Sequence, residues 1–545
     1  MKYLSLSVAA TVLLTACQTT SLDSPNSTAQ AETNKELASP NEVTMALLAD
    51  ESISVMHPVA DVEFSVADDA INVSDDLWAH MQKNITFDIP ENSRVVSQRN
   101  WYAKHPSYLD RVAKRAEPFL YYIIQELEAN DMPIEMALLP IVESAFDPFA
   151  YSHGRASGMW QFVPGTGERF GMKQNWWYDG RRDVIASTQG AIKYLKYLHK
   201  FFDGDWMLAL AAYNSGEGRV QRAVKRNARK NKPTDFWSLD LPKETRAYVP
   251  KLLALADIVK RPQDFNIKLY EIQNKPVITQ VDIGGQLDLA KAAQLADLSL
   301  AELQHLNPGF NRWSTDPDGP HYLVIPNNKV ERFTTGINKL SDKERLAWQR
   351  YEIKSGDSLS VIAQKFNTTT DLIKQVNKIN GSQIRAGKHL LIPVAAQSLD
   401  SYIFSQEQRL AKKQSKKQSG IKRTHTVVSG DTLWDISRKY KVNTKSLAKW
   451  NGMAPRDTLK LGQKLVIWQK PSVSQSSSSK TAANRSGAVM RNITYRVRRG
   501  DSFARIADKF NVTIKDIETW NSLSRKNYLQ PGQMLKLSVD VTNNI

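Results

Sequence analysis

The sequence predicts a multidomain chain, with a mostly α domain followed by three small modules of βααβ order. Three observations carry that reading. At 545 residues the chain is several times the about 100–200 residues of a typical domain. Residues 96–265 repeat apolar side chains at helical spacing, with little strand alternation. Beyond residue 330 one pattern of glycine, aspartate and asparagine returns three times in fixed register.

The N-terminus comes first. Lys2 precedes an uncharged apolar run from Tyr3 to Ala16, followed by Cys17. A run of about 14 residues falls short of the about 20 that span a bilayer, so residues 1–16 read as a signal peptide. Leu14-Thr15-Ala16-Cys17 looks like a lipobox, in which Cys17 is diacylated; a chance cysteine in an ordinary signal peptide is the alternative. Two acyl chains suffice for stable anchoring. Gln18 after the cysteine resembles the outer-membrane sorting pattern of Gram-negative lipoproteins, so the expected place is the outer membrane, facing the periplasm. Cys17 is the only cysteine, so disulfides cannot staple the exported part. The net charge is +17, from 73 Lys and Arg against 56 Asp and Glu, which suits a polyanionic partner. Charge alone does not choose among nucleic acid, anionic lipid and acidic wall polymer; export argues against nucleic acid. The region 17–95 reads as a polar tether over 18–50 and has no clear period over 51–95.

Next comes the helical region, 96–265. Apolar residues at 109, 112, 113, 116, 119, 120, 123, 124 and 127 predict a helix over Tyr108–Glu128. Ala137–Phe146, Val184–Phe202, Met207–Tyr213 and Ala247–Val259 also read as helices around one core.

The repeats follow. Tyr351, His425 and Tyr495 each stand five residues before a Gly-Asp pair, Gly356-Asp357, Gly430-Asp431 and Gly500-Asp501. An Asn lies 21 residues after each of these glycines, at 377, 451 and 521. The modules are placed at 350–394, 424–468 and 494–538. The joins 405–424, with seven Lys or Arg against one acid, and 471–487, rich in Ser, read as disordered tethers. Residues 266–330 hold a possible degenerate fourth copy, with Asn307 in the late Asn slot and Gln286 where the others have Gly.

These units resemble the LysM family, whose compact βααβ module binds glycans containing N-acetylglucosamine. Each glycine suits the tight turn before the first helix. Asp, or the Ser or Thr after it, can cap that helix, and Asp357, Asp431 and Asp501 are expected to cap rather than touch ligand. The resemblance implies a sugar groove at 356–359, 430–433 and 500–503, with a second loop near 380–386, 452–458 and 522–529. Trp434 could stack on a sugar in the second groove or pack in the core. Single-module binding should be weak, and tethered copies should gain by effective concentration.

The chemistry is expected at Glu143. Leu139, Ile141 and Val142 precede it, and Phe146 and Phe149 follow. Apolar surroundings disfavour the charged carboxylate and raise its pKa, as a general acid at neutral pH requires. From this stretch alone, Glu143 could equally lie on a helix's wet face. Four ordered motifs decide between the two: Glu143-Ser144, Gly158-Met159-Trp160-Gln161, Ala212-Tyr213-Asn214-Ser215-Gly216 and Glu244-Thr245-Arg246-Ala247-Tyr248-Val249. Together they resemble the soluble-type lytic transglycosylases, which have the goose-lysozyme fold.

That resemblance implies cleavage between N-acetylmuramic acid and N-acetylglucosamine, with Glu143 as acid and then base and a 1,6-anhydro ring as product. Tyr248 would orient Glu143 or steady the oxocarbenium-like state, or else be core. Gln161 and Asn214 would bond acetamido and hydroxyl groups, and Ser144 would contact the neighbouring sugar. Met159 and Tyr213 would line the cleft or pack the core. Glycosidases usually carry two carboxylates flanking the bond. Asp147 would share Glu143's helical face, and Asp179, Asp183, Glu217 and Glu244 sit in no pattern that marks a catalytic role. Glu217 is expected to face solvent. The six cations of Arg222–Lys232 either attract the acidic wall or form a solvated face. The nine His show no metal-ligand spacing, so neither metal nor cofactor is expected, and the chain should act as a monomer. A hydrolytic muramidase and a non-catalytic wall-binding scaffold are the competing readings.

Overall fold

The computed structural model describes residues 76–469 and 490–540, apart from 499–500, 511 and 524–528. Cys17, the leader, the 18–50 tether, the 471–487 join and Gly500 lie outside the described residues.

Among the described residues, nine α-helices make up the first domain: α1 Leu77–Asn84, α2 Ser93–Ala103, α3 Pro106–Glu128, α4 Leu139–Ser144, α5 Pro164–Arg169, α6 Val184–Phe201, α7 Trp206–Ser215, α8 Glu217–Ala228 and α9 Lys243–Lys260. Their local logic is plain. Asp183 caps α6 by accepting from the Ala186 N–H at 2.8 Å, and Asp205 caps α7 from Leu208 N–H at 2.9 Å. Helix α3 starts at Pro106, where the missing N–H costs nothing. Its stripe of Leu109, Val112, Ala116, Phe119, Leu120 and Ile123 faces the interior. Burying one such side chain is worth about 1.5–3 kcal/mol. Helix α9 is wrapped nearly all round, with Tyr248 to Val259 buried.

Two corrections belong here. The core does not begin at residue 96: Leu77, Trp78 and Met81 of α1 and Val95 of α2 are buried in it. The short length of α1 and the irregular stretch after it, Ile85 to Asn92, hid the period. The run Ala137–Phe146 is not one helix but a 3-10 turn, Ile134–Leu138, followed by six-residue α4.

A second core forms around β1 Ile278–Asp282, α10 Leu289–Ala296, α11 Leu300–Leu306 and β2 Tyr322–Pro326, the βααβ order of a fourth unit, with α12 Val330–Asn338 against it. Strands β1 and β2 pair antiparallel, Ile278 opposite Pro326. Trp177 and Tyr178 of the helical domain enter this core, so the fourth unit is fused to it.

The first module comprises β3 Ala347–Glu352, α13 Leu359–Lys365, α14 Thr370–Asn377 and β4 His389–Val394. Between the first two modules lies α15 Gln406–Ser415, and the second holds β5 Ile421–Thr426, α16 Leu433–Lys439, α17 Thr444–Trp450 and β6 Lys464–Gln469. The third, described by itself, holds β7 Met490–Arg496, α18 Phe503–Lys509, α19 Ile514–Asn521 and β8 Met534–Asp540. The late Asn is the clamp of every unit. Asn451 Nδ2 donates to Leu447 O and Val466 O, both at 2.8 Å, and its Oδ1 accepts from Val466 N–H at 2.7 Å. Asn307, Asn377 and Asn521 make the same three bonds between the second helix and last strand.

Of the two kinds of cap expected, the structure uses the hydroxyl and not the aspartate. Ser358 and Thr432 cap α13 and α16. Asp357 instead ties the turn, accepting from Lys354 N–H and the Tyr351 hydroxyl, both at 2.8 Å. Asp431 does the same with Val428 N–H and His425, and Asp501 with Arg498 N–H and Tyr495. One residue separates the two jobs, and composition cannot tell them apart.

The 405–424 tether is corrected too, since α15 is packed. Tyr402 is fully buried with its hydroxyl on Asp288 at 3.0 Å, and Gln406 N–H donates to Asn311 O at 2.8 Å. These anchors, distant in sequence, override a composition typical of disorder.

Candidate active site

Helix α4 is a single short turn that ends abruptly. Ala145 and Phe146 take φ of 53° and 57°, a region that non-glycine residues seldom enter. The N–H of Phe146 returns to Pro140 O at 3.1 Å, satisfying the helix end. Glu143 therefore sits in the last turn, 3% exposed, with its carboxyl facing α9. Asp147 lies past the end of α4 and shares no helical face with it; its Oδ1 accepts from Phe149 N–H at 2.8 Å.

The Tyr248 hydroxyl donates to Glu143 Oε1 at 2.6 Å, and Oε2 is buried with no hydrogen-bond partner. Burial is the largest influence and pushes the Glu143 pKa up to about 8; the Tyr248 bond opposes it, the Glu244 charge adds to it and Lys251 opposes it. Lys251, 4% exposed on the same helix, is driven down to about 8 by burial. Positions 244, 248 and 251 share one face of α9.

The segment 158–161 faces this pair. Gly158 has φ +83°, and a Cβ there would meet Arg181 O at 1.8 Å, so only glycine fits. Ser144 Oγ can donate to Met159 O at 3.0 Å, and the Tyr213 hydroxyl donates to Trp160 O at 2.8 Å. Gln161, with φ 51°, donates from Nε2 to Gly158 O at 2.7 Å. Met159 and Asn214 are fully buried and Tyr213 nearly so. The structure thus brings all seven motif residues into one buried neighbourhood, several of them bonded to its backbone.

Other carboxylates have structural posts. Burial pushes Asp179 up, but Arg182 and Arg181 outweigh it and hold its pKa low. Arg181 also donates to Arg155 O at 2.8 Å and Phe162 O at 3.1 Å, bracing the loop before Gln161. Asp183 caps α6 and accepts from the Tyr322 hydroxyl at 3.0 Å. Glu217 is half-buried rather than open to solvent, and pairs with Arg169 at 3.7 Å. Trp434 is half-buried, with the Arg438 guanidinium 5.3 Å from its ring.

Comparison with known proteins identifies the domains. The transglycosylase SLT domain family matches residues 121–236, and the LysM domain family 351–393, 425–468 and 495–538. The LysM-like domain of lytic transglycosylase MltD matches 277–342. Membrane-bound lytic murein transglycosylase D of Escherichia coli (strain K12) is 38% identical over 407 residues, 72% of this chain and 86% of that protein. The chain belongs to the lytic murein transglycosylase D family. It is a peptidoglycan lytic transglycosylase by domain and by relative. A protein of Alteromonas sp. (strain M-1), named a putative tributyltin chloride resistance protein, is 40% identical over 202 residues, 36% of this chain and 96% of that one.

In this transglycosylase, sequence reasoning missed Lys251 and passed over Glu244. A lysine between Val249 and Leu252-Leu253, seven positions beyond a glutamate on a buried helix, was the signal available. Among the described residues no helix is long and apolar enough to cross a membrane.

Proposed function

We propose that Glu143 performs both proton transfers in cleavage of the β-1,4 bond between N-acetylmuramic acid and N-acetylglucosamine. The observation that carries this is the buried carboxyl held at one oxygen by Tyr248. With a pKa of about 8 it is neutral at pH 7, and Tyr248 on Oε1 leaves the proton on Oε2. That proton passes to the bridging oxygen as its bond to C1 breaks, and the electron pair leaves with N-acetylglucosamine. The muramic acetamido oxygen steadies the cationic C1. The Glu143 carboxylate then takes the proton of the 6-hydroxyl as O6 bonds to C1. The 1,6-anhydro ring closes, water is not consumed, and Glu143 is neutral again.

Tyr248 is the orienting donor. Gln161 bonds the sugar's acetamido and hydroxyl groups, Ser144 contacts the neighbouring sugar and Tyr213 shapes the wall, while Met159 and Asn214, fully buried and so out of direct reach of the sugar, back that wall from behind. The LysM turns at Gly356-Asp357, Gly430-Asp431 and Gly500-Asp501, with Trp434, hold glycan, their aspartates keeping the turns in shape. Acylated Cys17 anchors a monomer to the outer membrane, facing the periplasm. Labelled palmitate incorporated by the parent chain but not by Cys17→Ala checks the anchor; equal incorporation refutes it. Glu143→Gln should abolish lysis of purified sacculi while glycan binding persists; retained lysis overturns the assignment.

A further inference from the structure

We propose that the junction of the 147–155 loop, α15 and the 452–457 loop of the second LysM module is a carboxylate site that takes the peptide stems of peptidoglycan. It rests on the glycan-cleaving reading above.

The junction adjoins the Gln161 segment. The Ala150 carbonyl accepts from Gly158 N–H at 3.1 Å and from Gln161 Nε2 at 3.5 Å, so the inner edge of this loop is the wall beside Gln161. Its outer edge is held by partners far along the chain. Phe149 stacks on Phe404 at 4.9 Å with 6° between the planes. Arg155 Nε pairs with Asp457 Oδ1 at 2.9 Å, and the Tyr151 hydroxyl reaches Asp457 Oδ2 at 3.4 Å. Lys413 of α15 lies against the module: a Cβ on Gly452 would be 3.1 Å from its Cδ and 3.7 Å from its Nζ.

Positive charge here outruns its partners. The Arg409 guanidinium sits 5.0 Å from the Phe149 ring centre, and its Nε is shut from solvent with no acceptor. Asp179 and Asp147 attract Arg409 while Arg182 and Arg312 repel it; Lys413 feels Arg409 against Asp147 alone. Most nearby carboxylates are already paired with other cations. Asp179 holds Arg181 at 2.8 Å and 2.9 Å, Glu407 pairs with Arg312 and Asp457 holds Arg155, which leaves Asp147, tied only to Phe149 N–H, to answer both Arg409 and Lys413. Burial, the largest influence on both, pushes Arg409 and Lys413 below their usual pKa, as expected of cations short of counter-charge.

A guanidinium laid over a ring beside an ammonium matches a carboxylate. A wall strand offers two kinds, the stem peptide's and, once the stem is removed, the lactyl group's. The site lies outside the Gln161 wall, to the side of the sugar path. A stem, reaching about 3.5 Å per extended residue, suits that offset better than a lactyl group fixed on its sugar.

The test measures binding, not turnover, on the full-length Glu143→Gln chain. Its probes are peptide-bearing glycan strands, strands stripped by an amidase to free lactyl groups, and uncharged N-acetylglucosamine oligomers. Peptide-bearing strands should bind about tenfold tighter than stripped ones, the scale of one charge-assisted bond. Arg409→Gln with Lys413→Gln should erase that preference and leave the other two probes unchanged. Arg409→Lys with Lys413→Arg should keep most of it, which separates charge from packing. Equal binding of peptide-bearing and stripped strands by the parent overturns the site. So does a preference that survives the double Gln variant, or equal weakening of both strands by it, which would assign the cations to the lactyl group. Lysis by Glu143→Gln would instead refute the catalytic assignment and leave this comparison standing.

Discussion

Tyr248 and Glu143, 105 residues apart in sequence, meet at 2.6 Å between the Tyr hydroxyl and Oε1, while Oε2 stays buried with no hydrogen-bond partner. That asymmetry turns a carboxyl into a directional acid, because one oxygen is occupied and the other must carry the proton.

Removing the hydroxyl with Tyr248→Phe should lower kcat by about 10–100-fold, the range for loss of a positioned donor. The bond favours the ionised carboxylate, so its loss should also move the alkaline limb of the pH profile upward. A kcat loss with an unmoved limb would mean that Tyr248 only fills space.

Activity should fall as pH rises past about 8, where Glu143 loses its proton. Lys251 also titrates near 8 and feels Glu143, so the limb belongs to the pair. Stability should follow. The unfolded Glu143 releases its proton near the ordinary carboxyl value of 4.5 while the folded one holds it to about 8, so stability declines as pH rises across that window. Glu143→Gln should therefore stabilise the protein at pH 9 by on the order of 2–4 kcal/mol, read by thermal melting. An unchanged difference between pH 5 and pH 9 would contradict the burial argument.

Gly158→Ala places a Cβ 1.8 Å from a backbone oxygen at φ +83°. It should cost about 3 kcal/mol or more and lower activity through a displaced Gln161. Wild-type melting and turnover would show that the 158–161 segment needs no glycine.

Asn451→Ala should loosen the second LysM module by about 2–4 kcal/mol, since a buried Asn gives up three bonds to backbone and one from Gln414 and leaves the backbone partners unpaired. Limited proteolysis should cut first within 424–468, with the catalytic helices intact.

Much of this was readable in the sequence because it depends on residue type and order. Four motifs in sequence and an acid among Ile141, Val142 and Phe146 named the site, and a 21-residue register named the modules. What escaped depends on distant contacts or on backbone twist. The left-handed pair Ala145-Phe146 cuts a helix that apolar periodicity would continue. Asp357 ties a turn because Tyr351 stands across from it. Helix α15 is ordered by Asp288 and Phe149, over a hundred residues upstream. Lys251 matters because folding turns it toward Glu143.

The most direct measurement is mass spectrometry of the fragments released from purified sacculi in ¹⁸O-enriched water. A single recycling acid predicts 1,6-anhydromuramic ends that carry no label. Reducing ends bearing ¹⁸O would show that water attacks C1, and the internal-nucleophile account would be wrong.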